Sequence, residues 1–120
     1  MVLPSTGKAY ERRLRDYITK FGYVVCRSGG SGAGNSEYTP DLIAIRRDKV
    51  IIIEVKDHSS DKIYLEPRQV EGLKKLAELS GGIALVCNKR RCIEVDLLEK
   101  TGNTYKFDVR DAKPLDSFLR

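Results

Sequence analysis

Apolar residues early in the chain fall on one helical stripe: Tyr10, Leu14, Tyr17, Ile18 and Phe21 recur at i, i+4, i+7, i+8 and i+11. This spacing predicts a helix from about Ser5 to Phe21, with Ser5 or Thr6 as its cap and Gly22 as its stop. The pattern then shortens to strand lengths. Tyr23–Arg27 reads as a first strand, followed by Asp41–Arg46 and Val50–Lys56, which the turn Arg47-Asp48-Lys49 joins into a hairpin. Asp57–Lys62 is a polar connection. Pro67 suits the first position of a second helix, whose stripe is Val70, Leu73, Leu76 and Ala77 and whose end is Gly81-Gly82. Ile83–Cys87 and Cys92–Val95 read as strands, then comes a short helical turn near Asp96–Lys100, and Tyr105–Arg120 fits no single period. Without repeats or low-complexity tracts, this order predicts a single α/β domain over residues 1–120, with a mixed central sheet flanked by helices in three layers.

Two features break the regular pattern. The run Ser28–Thr39 contains Gly29, Gly30, Gly32 and Gly34 and no Lys or Arg, and a loop of that length points to a functional role. Gly72 lies inside the second helix, where glycine costs about 1 kcal/mol relative to alanine. It implies the close approach of another backbone, from this chain or from a second copy.

Composition narrows the classes. The chain has 120 residues, 41% hydrophobic and 32% charged, which fits one globular core and argues against disorder. Apolar runs such as Val50–Ile53 are far short of the ~20 residues of a membrane span. Met1–Leu3 is followed at once by Pro4, Ser5 and a charged segment, so no signal peptide is expected and the expected location is cytoplasmic, without membrane association. Lys and Arg number 22 against 17 Asp and Glu, for a net charge of +5, which makes a polyanion such as nucleic acid a plausible partner. The front is the basic end: residues 1–27 hold Lys8, Arg12, Arg13, Arg15, Lys20 and Arg27 against Glu11 and Asp16. Cys26, Cys87 and Cys92 form no CxxC pair and His58 is the single histidine, so neither a zinc site nor a disulfide framework is expected. Buried free thiols are the ordinary reading, with one exception: Cys87 and Cys92 flank a plausible hairpin loop, Asn88–Arg91, and can face each other across it.

The strongest chemical feature is Pro40-Asp41, then twelve residues, then Glu54-Val55-Lys56. Strand side chains alternate, so Glu54 and Lys56 share one face while Val55 points to the other. Asp41 begins the neighbouring strand of the hairpin, and two carboxylates and an ammonium can converge at one end of the sheet. Taken singly, Glu-x-Lys on a strand and a Pro-Asp turn are commonplace. Flanking a Val-Ile-Ile-Ile strand that should be buried on both faces, they are not. The set suits metal-assisted phosphodiester hydrolysis, because Mg²⁺ prefers oxygen ligands and is usually held by one or two carboxylates. Asp41, Glu54 and the Val55 carbonyl can supply that shell, and Lys56 can orient the attacking water or neutralise the transition state.

These residues resemble the PD-(D/E)xK nuclease superfamily, with its restriction-endonuclease-like fold, and more specifically the archaeal Holliday junction resolvases. The matching segments are Gly7–Leu14, Arg27–Gly32, Pro40–Ala44 and Ile52–Lys56, continued by Tyr64-Leu65 and Gln69-Val70. The resemblance implies that Asp41, Glu54 and Lys56 are catalytic and that Glu11, on the border of the helical stripe, adds a further acid to the metal site. It implies a catalytic role for Ser31 in the glycine-rich loop, contacting DNA, and a DNA contact by Arg12 or Arg13. It also implies a homodimer that nicks four-way-junction DNA in two strands symmetrically, using Mg²⁺ or Mn²⁺ and no small-molecule substrate. Lys8, Arg27, Lys62 and Arg68, with the run Lys89-Arg90-Arg91, are further candidates for phosphate contact, each weighed against an ordinary surface charge. Glu11 has a plain structural alternative in an i,i+4 pair with Arg15, Ser31 one as an ordinary polar loop residue, and Gln69 is expected to pack or cap near the site. The rival functions are a nuclease of the same superfamily acting on duplex ends or flaps, and a non-catalytic DNA-binding module of the same fold.

Overall fold

The computed structural model describes residues 7–28 and 38–120. Helix α1 (Gly7–Thr19) buries Leu14 and Ile18, and a turn through Gly22, at φ +90°, leads into strand β1 (Val24–Arg27). Strands β2 (Leu42–Arg46) and β3 (Lys49–Lys56) form the expected hairpin, and Asp48 supplies the left-handed residue of its turn at φ 61°. Their register pairs Leu42 with Ile53 and Arg46 with Lys49. Strand β4 (Lys62–Leu65) precedes helix α2 (Pro67–Ser80), which starts at Pro67 and ends on Gly81 in the left-handed conformation.

Helix α2 carries the crossover from β3 to β5 (Ile83–Asn88), which lie parallel with Lys56 opposite Asn88. The two strands therefore end at the same edge of the sheet. Strand β6 (Arg91–Glu94) returns through a two-residue turn, Lys89-Arg90, with both residues left-handed at φ 51° and 65°. After β7 (Glu99–Thr101) and β8 (Thr104–Asp108), the short β9 (Lys113–Pro114) and helix α3 (Asp116–Leu119) complete the chain. The main sheet has the order β1-β2-β3-β5-β6-β9, and β4-β8-β7 form a second, three-stranded sheet.

Alternation along β3 sorts the core into two layers. Ile51 and Ile53 face Leu14 and Ile18 of α1 and Leu115 and Leu119 of the C-terminal segment. Ile52 faces Val70 and Leu73 of α2, with Ile63, Leu65 and Phe107 of the small sheet behind. Ile51, Ile52 and Ile53 are all fully or nearly fully buried, as a strand covered on both faces requires.

The expectations need several corrections. Helix α1 ends at Thr19 rather than Phe21, and its expected caps, Ser5 and Thr6, lie outside the described residues. The second flanking layer is not helix alone, because the small sheet shares it with α2. The helical turn expected near Asp96–Lys100 is a single 3-10 turn at Val95–Leu97 followed by β7. Cys26 is free but exposed rather than buried, whereas Cys87 and Cys92 follow the exception: they face each other across β5 and β6, buried and joined as a disulfide. Among the described residues no helix is long and apolar enough to cross a membrane.

Candidate active site

The end of β3 is where charge enters the core. Glu54 lies on the same face as Ile52, towards α2, and only 7% of it is exposed. The pairing of Leu42 with Ile53 brings Asp41, just ahead of β2, opposite Glu54. Asp41 takes over the role of the strand that has not yet begun: its Oδ2 accepts the Val55 backbone N–H at 2.8 Å. In an extended strand the N–H and C=O of one residue point to the same side, so the Val55 carbonyl also faces the Asp41 edge.

Each oxygen of the Glu54 carboxylate has its own neighbours. The Tyr38 hydroxyl donates to Oε1. Oε2 has Lys56 Nζ at 3.7 Å and receives a long hydrogen bond from Gln69 Nε2 at 3.5 Å. Burial, and then the charge of Asp41, push the Glu54 carboxyl up to about 7, with the Tyr38 hydrogen bond and Lys56 pulling the other way. The Tyr38 phenol is raised as well, by burial first and by Glu54 second.

Glu11 reaches the same cluster from α1. Its carboxyl is raised by burial and by Asp41, and Arg27 Nη2 lies 3.9 Å from its Oε1. The alternative pairing with Arg15 is not made, because Arg15 bonds its neighbour Asp16 at 3.1 Å. Three acids thus approach one another through Asp41. Among the described residues no group of three or more His, Cys, Asp or Glu side chains closes a metal-ligand set by itself. The arrangement instead suits a hard cation that takes one or two carboxylates and keeps solvent or phosphate oxygens in the rest of its shell.

The other candidates are spread more widely. Lys8 lies close enough to Glu11 to lower its carboxyl, while Arg12 and Arg13 are exposed on α1, Arg13 over the Tyr10 ring at 5.8 Å. Arg68 is exposed at the start of α2. Lys62 is not gathered with Asp41 and Glu54: it pairs with Asp108 across β4 and β8. Ser31 lies outside the described residues.

Two contributors, Tyr38 and Asn88, have no reading in the sequence, and a third, Gly72, has only a partial one. Tyr38 was hidden in the glycine-rich run, although it is the single aromatic residue of Ser28–Thr39. Gly72 does mark a close approach, but to a side chain: a Cβ there would meet the Tyr38 ring at 2.5 Å. Asn88 is a buried polar residue whose amide accepts from His58 N at 2.9 Å and donates to His58 O at 3.1 Å, fixing the chain just beyond Lys56.

Two solved structures share the architecture. One, of Archaeoglobus fulgidus Hjc, a Holliday junction resolvase, superposes with a TM-score of 0.81 over 94% of this chain and 99% of that one, at 25% identity. A nuclease from a fusselovirus, D212, shares the fold at a TM-score of 0.54 and 15% identity, over 98% and 92% of the two chains. The mixed sheet and its neighbours define the restriction-endonuclease-like class of nuclease folds. The family model for the archaeal Holliday junction resolvase (Hjc) matches residues 3–120. Crossover junction endodeoxyribonucleases Hjc of Sulfurisphaera tokodaii and Methanocaldococcus jannaschii are each 34% identical, over 88% and 87% of this chain and 77% of each relative. The chain belongs to the archaeal Holliday junction resolvase family.

Proposed function

We infer that the protein is an endodeoxyribonuclease that resolves four-way DNA junctions, working on DNA inside the cell as a metal-dependent homodimer. The carrying observation is the convergence of Asp41, Glu54 and Lys56 at one end of a buried strand, in a chain whose family match spans residues 3–120. A degenerate binding module would have little reason to keep two acids crowded together at the edge of its core.

The donor set fits a divalent cation. Two crowded carboxylates, one of them buried and resisting ionisation, are a place where added positive charge is favourable. Asp41, Glu54 and the Val55 carbonyl would hold Mg²⁺ or Mn²⁺, with Glu11 close behind. Such an ion lowers the pKa of bound water and stabilises charge developing on phosphate. The chain's own residues do the rest. Asp41 is fixed by the Val55 N–H, so it meets DNA already oriented. Lys56, on the same face as Glu54, neutralises charge as it grows on the scissile phosphate. Arg27 and Lys8, close to Glu11, and the exposed Arg12 and Arg13 of α1 contact backbone phosphates. Lys62 and Arg68 lie on the other flank and serve as outer phosphate contacts. In this reading the Ser31 hydroxyl acts against a phosphate oxygen during cleavage, so Ser31→Ala lowers turnover more than junction affinity.

A junction offers two equivalent phosphodiesters, and a two-fold dimer presents two sites related by the same symmetry. The test compares cleavage of a four-way junction and a linear duplex of the same sequence, with Mg²⁺ and with EDTA, beside sedimentation of the protein free and DNA-bound. Paired nicks confined to the junction and to Mg²⁺, from a dimer, are expected. Equal cutting of the linear duplex overturns junction selectivity, and a monomer in both states overturns the dimer.

A further inference from the structure

Helix α2 leaves a notch at Gly72, and the ring of Tyr38 fills it. A Cβ on Gly72 would stand 2.5 Å from both Cγ and Cδ2 of that ring, closer than real side chains approach. From this seat the Tyr38 hydroxyl donates to Glu54 Oε1. Lys56 and Gln69 both address the other oxygen, Oε2, from 3.7 and 3.5 Å. Tyr38 thus engages Oε1 by a hydrogen bond of its own, while Oε2 keeps the longer contacts of Lys56 and Gln69. It is also tethered to Asp41, with only Thr39 and the buried Pro40 between them. One ring therefore connects α2 to both carboxylates of the site.

We propose that Tyr38, held in place by Gly72, is a positioning residue that orients Glu54 for a divalent cation and so sets metal affinity rather than DNA affinity. The inference rests on the reading of Glu54 as a metal-holding carboxylate. A glutamate side chain has several rotatable bonds, and fixing them in advance removes an entropic cost that the cation would otherwise meet. Hydrogen-bond partners of metal-holding carboxylates are worth about 10- to 100-fold in metal affinity or activity when removed. Tyr38 touches neither DNA nor cation in this scheme, and its effect passes entirely through Glu54.

Two substitutions approach the contact from opposite sides. Tyr38→Phe keeps the ring in its notch and deletes the hydroxyl. Gly72→Ala keeps the hydroxyl and fills the seat, forcing the ring to move. The decisive measurement is Mn²⁺ binding to the DNA-free protein by calorimetry, beside the Mg²⁺ dependence of cleavage and junction binding in EDTA. For Tyr38→Phe we expect Mn²⁺ binding weakened about tenfold or more, a matching shift in the Mg²⁺ needed for half-maximal cleavage, and junction affinity within about twofold of wild type. Gly72→Ala should change the same quantities in the same direction. A folded Tyr38→Phe protein that binds Mn²⁺ as wild type does overturns the proposal, as does one that loses junction affinity while its metal affinity is unchanged. If Tyr38→Phe does not fold, a folded Gly72→Ala protein with wild-type Mn²⁺ affinity overturns it equally. Asp41→Asn separates the two levels of inference: should it too leave Mn²⁺ binding and cleavage unchanged, the assignment of the carboxylate cluster itself is at fault.

Discussion

Glu54 and Asp108 are both buried acids near strand ends, and their surroundings push them in opposite directions. Asp108, closing β8, accepts Arg110 Nε at 3.2 Å and Nη2 at 2.9 Å, and the Arg110 backbone N–H at 3.0 Å. That grip from Arg110 holds its carboxyl down to about 2. Among the described residues Glu54 has only Lys56 as a nearby cation, at 3.7 Å, and burial, then the charge of Asp41, raises its carboxyl to about 7. One acid is matched by a cation the chain itself carries, and it serves the fold. The other is left short of positive charge at the mouth of a sheet. That shortage cannot be for stability, since an uncompensated buried carboxylate weakens the folded state. On the proposed function, a bound cation meets that shortage.

The largest effects are expected at the site itself. Asp41→Ala or Glu54→Ala should reduce Mg²⁺-dependent junction cleavage about a thousandfold or more, while junction binding in Ca²⁺ stays within a few-fold. Near-normal cleavage by Asp41→Ala in a single-turnover assay rejects the assignment. Next in size is a contrast in stability. Asp108→Asn should lower the melting temperature by several degrees and spare cleavage, because it removes the negative charge facing Arg110 and turns one accepting oxygen into an amide donor. Glu54→Gln should instead raise the melting temperature of the metal-free protein at pH 8 and abolish cleavage. A fall in both variants would mean that Glu54 is an ordinary structural acid.

Their pH dependence sharpens the contrast further. Because the folded-state pKa of Glu54 lies above its ordinary value of 4.5, the folded protein binds more protons than the unfolded chain between about 4.5 and 7. Its contribution to stability therefore falls as pH rises through that window, and the advantage of Glu54→Gln should grow from pH 5 to pH 8 without metal. Asp108 has the reverse sign: its contribution is present above its ordinary 3.8 and is lost as pH falls towards 2. Thermal melts across pH with EDTA check both slopes. The smallest effect is expected for Glu11→Gln, whose carboxyl is raised by partial burial and by Asp41 while Arg27 and Lys8 pull the other way. It should stabilise the metal-free protein at pH 8 by less than Glu54→Gln does, and a larger gain would place the main repulsion on α1 instead.

The hairpin carrying Asp41 and Glu54 was legible in the sequence because two strands and a short turn fix their own register, and twelve intervening residues bring the acids opposite each other. Helix α2 was equally plain from its stripe and its Pro67 and Gly81 ends. Strand β4 was not, since four residues of alternating burial are too short a period to separate from a loop. Tyr38 was obscured for a different reason. Its seat, Gly72, lies on an element far along the chain, so each residue reads as an isolated oddity until the fold unites them. The pairing of Lys62 with Asp108 is likewise a cross-strand matter that charge counting along the chain does not reveal.

The β2–β3 turn has a kinetic consequence. Its two strands meet through Arg47 and Asp48 alone, whereas the parallel pairing of β3 with β5 must wait for β4 and the whole of α2. Local pairings close sooner, because less loop entropy stands against them. Asp41 and Glu54 are thus expected to meet before α2 has brought Gln69 and the Tyr38 seat into place. An early like-charge encounter predicts that protons or divalent ions that relieve it speed refolding as well as steady the finished protein, which stopped-flow refolding across pH and with Mg²⁺ checks.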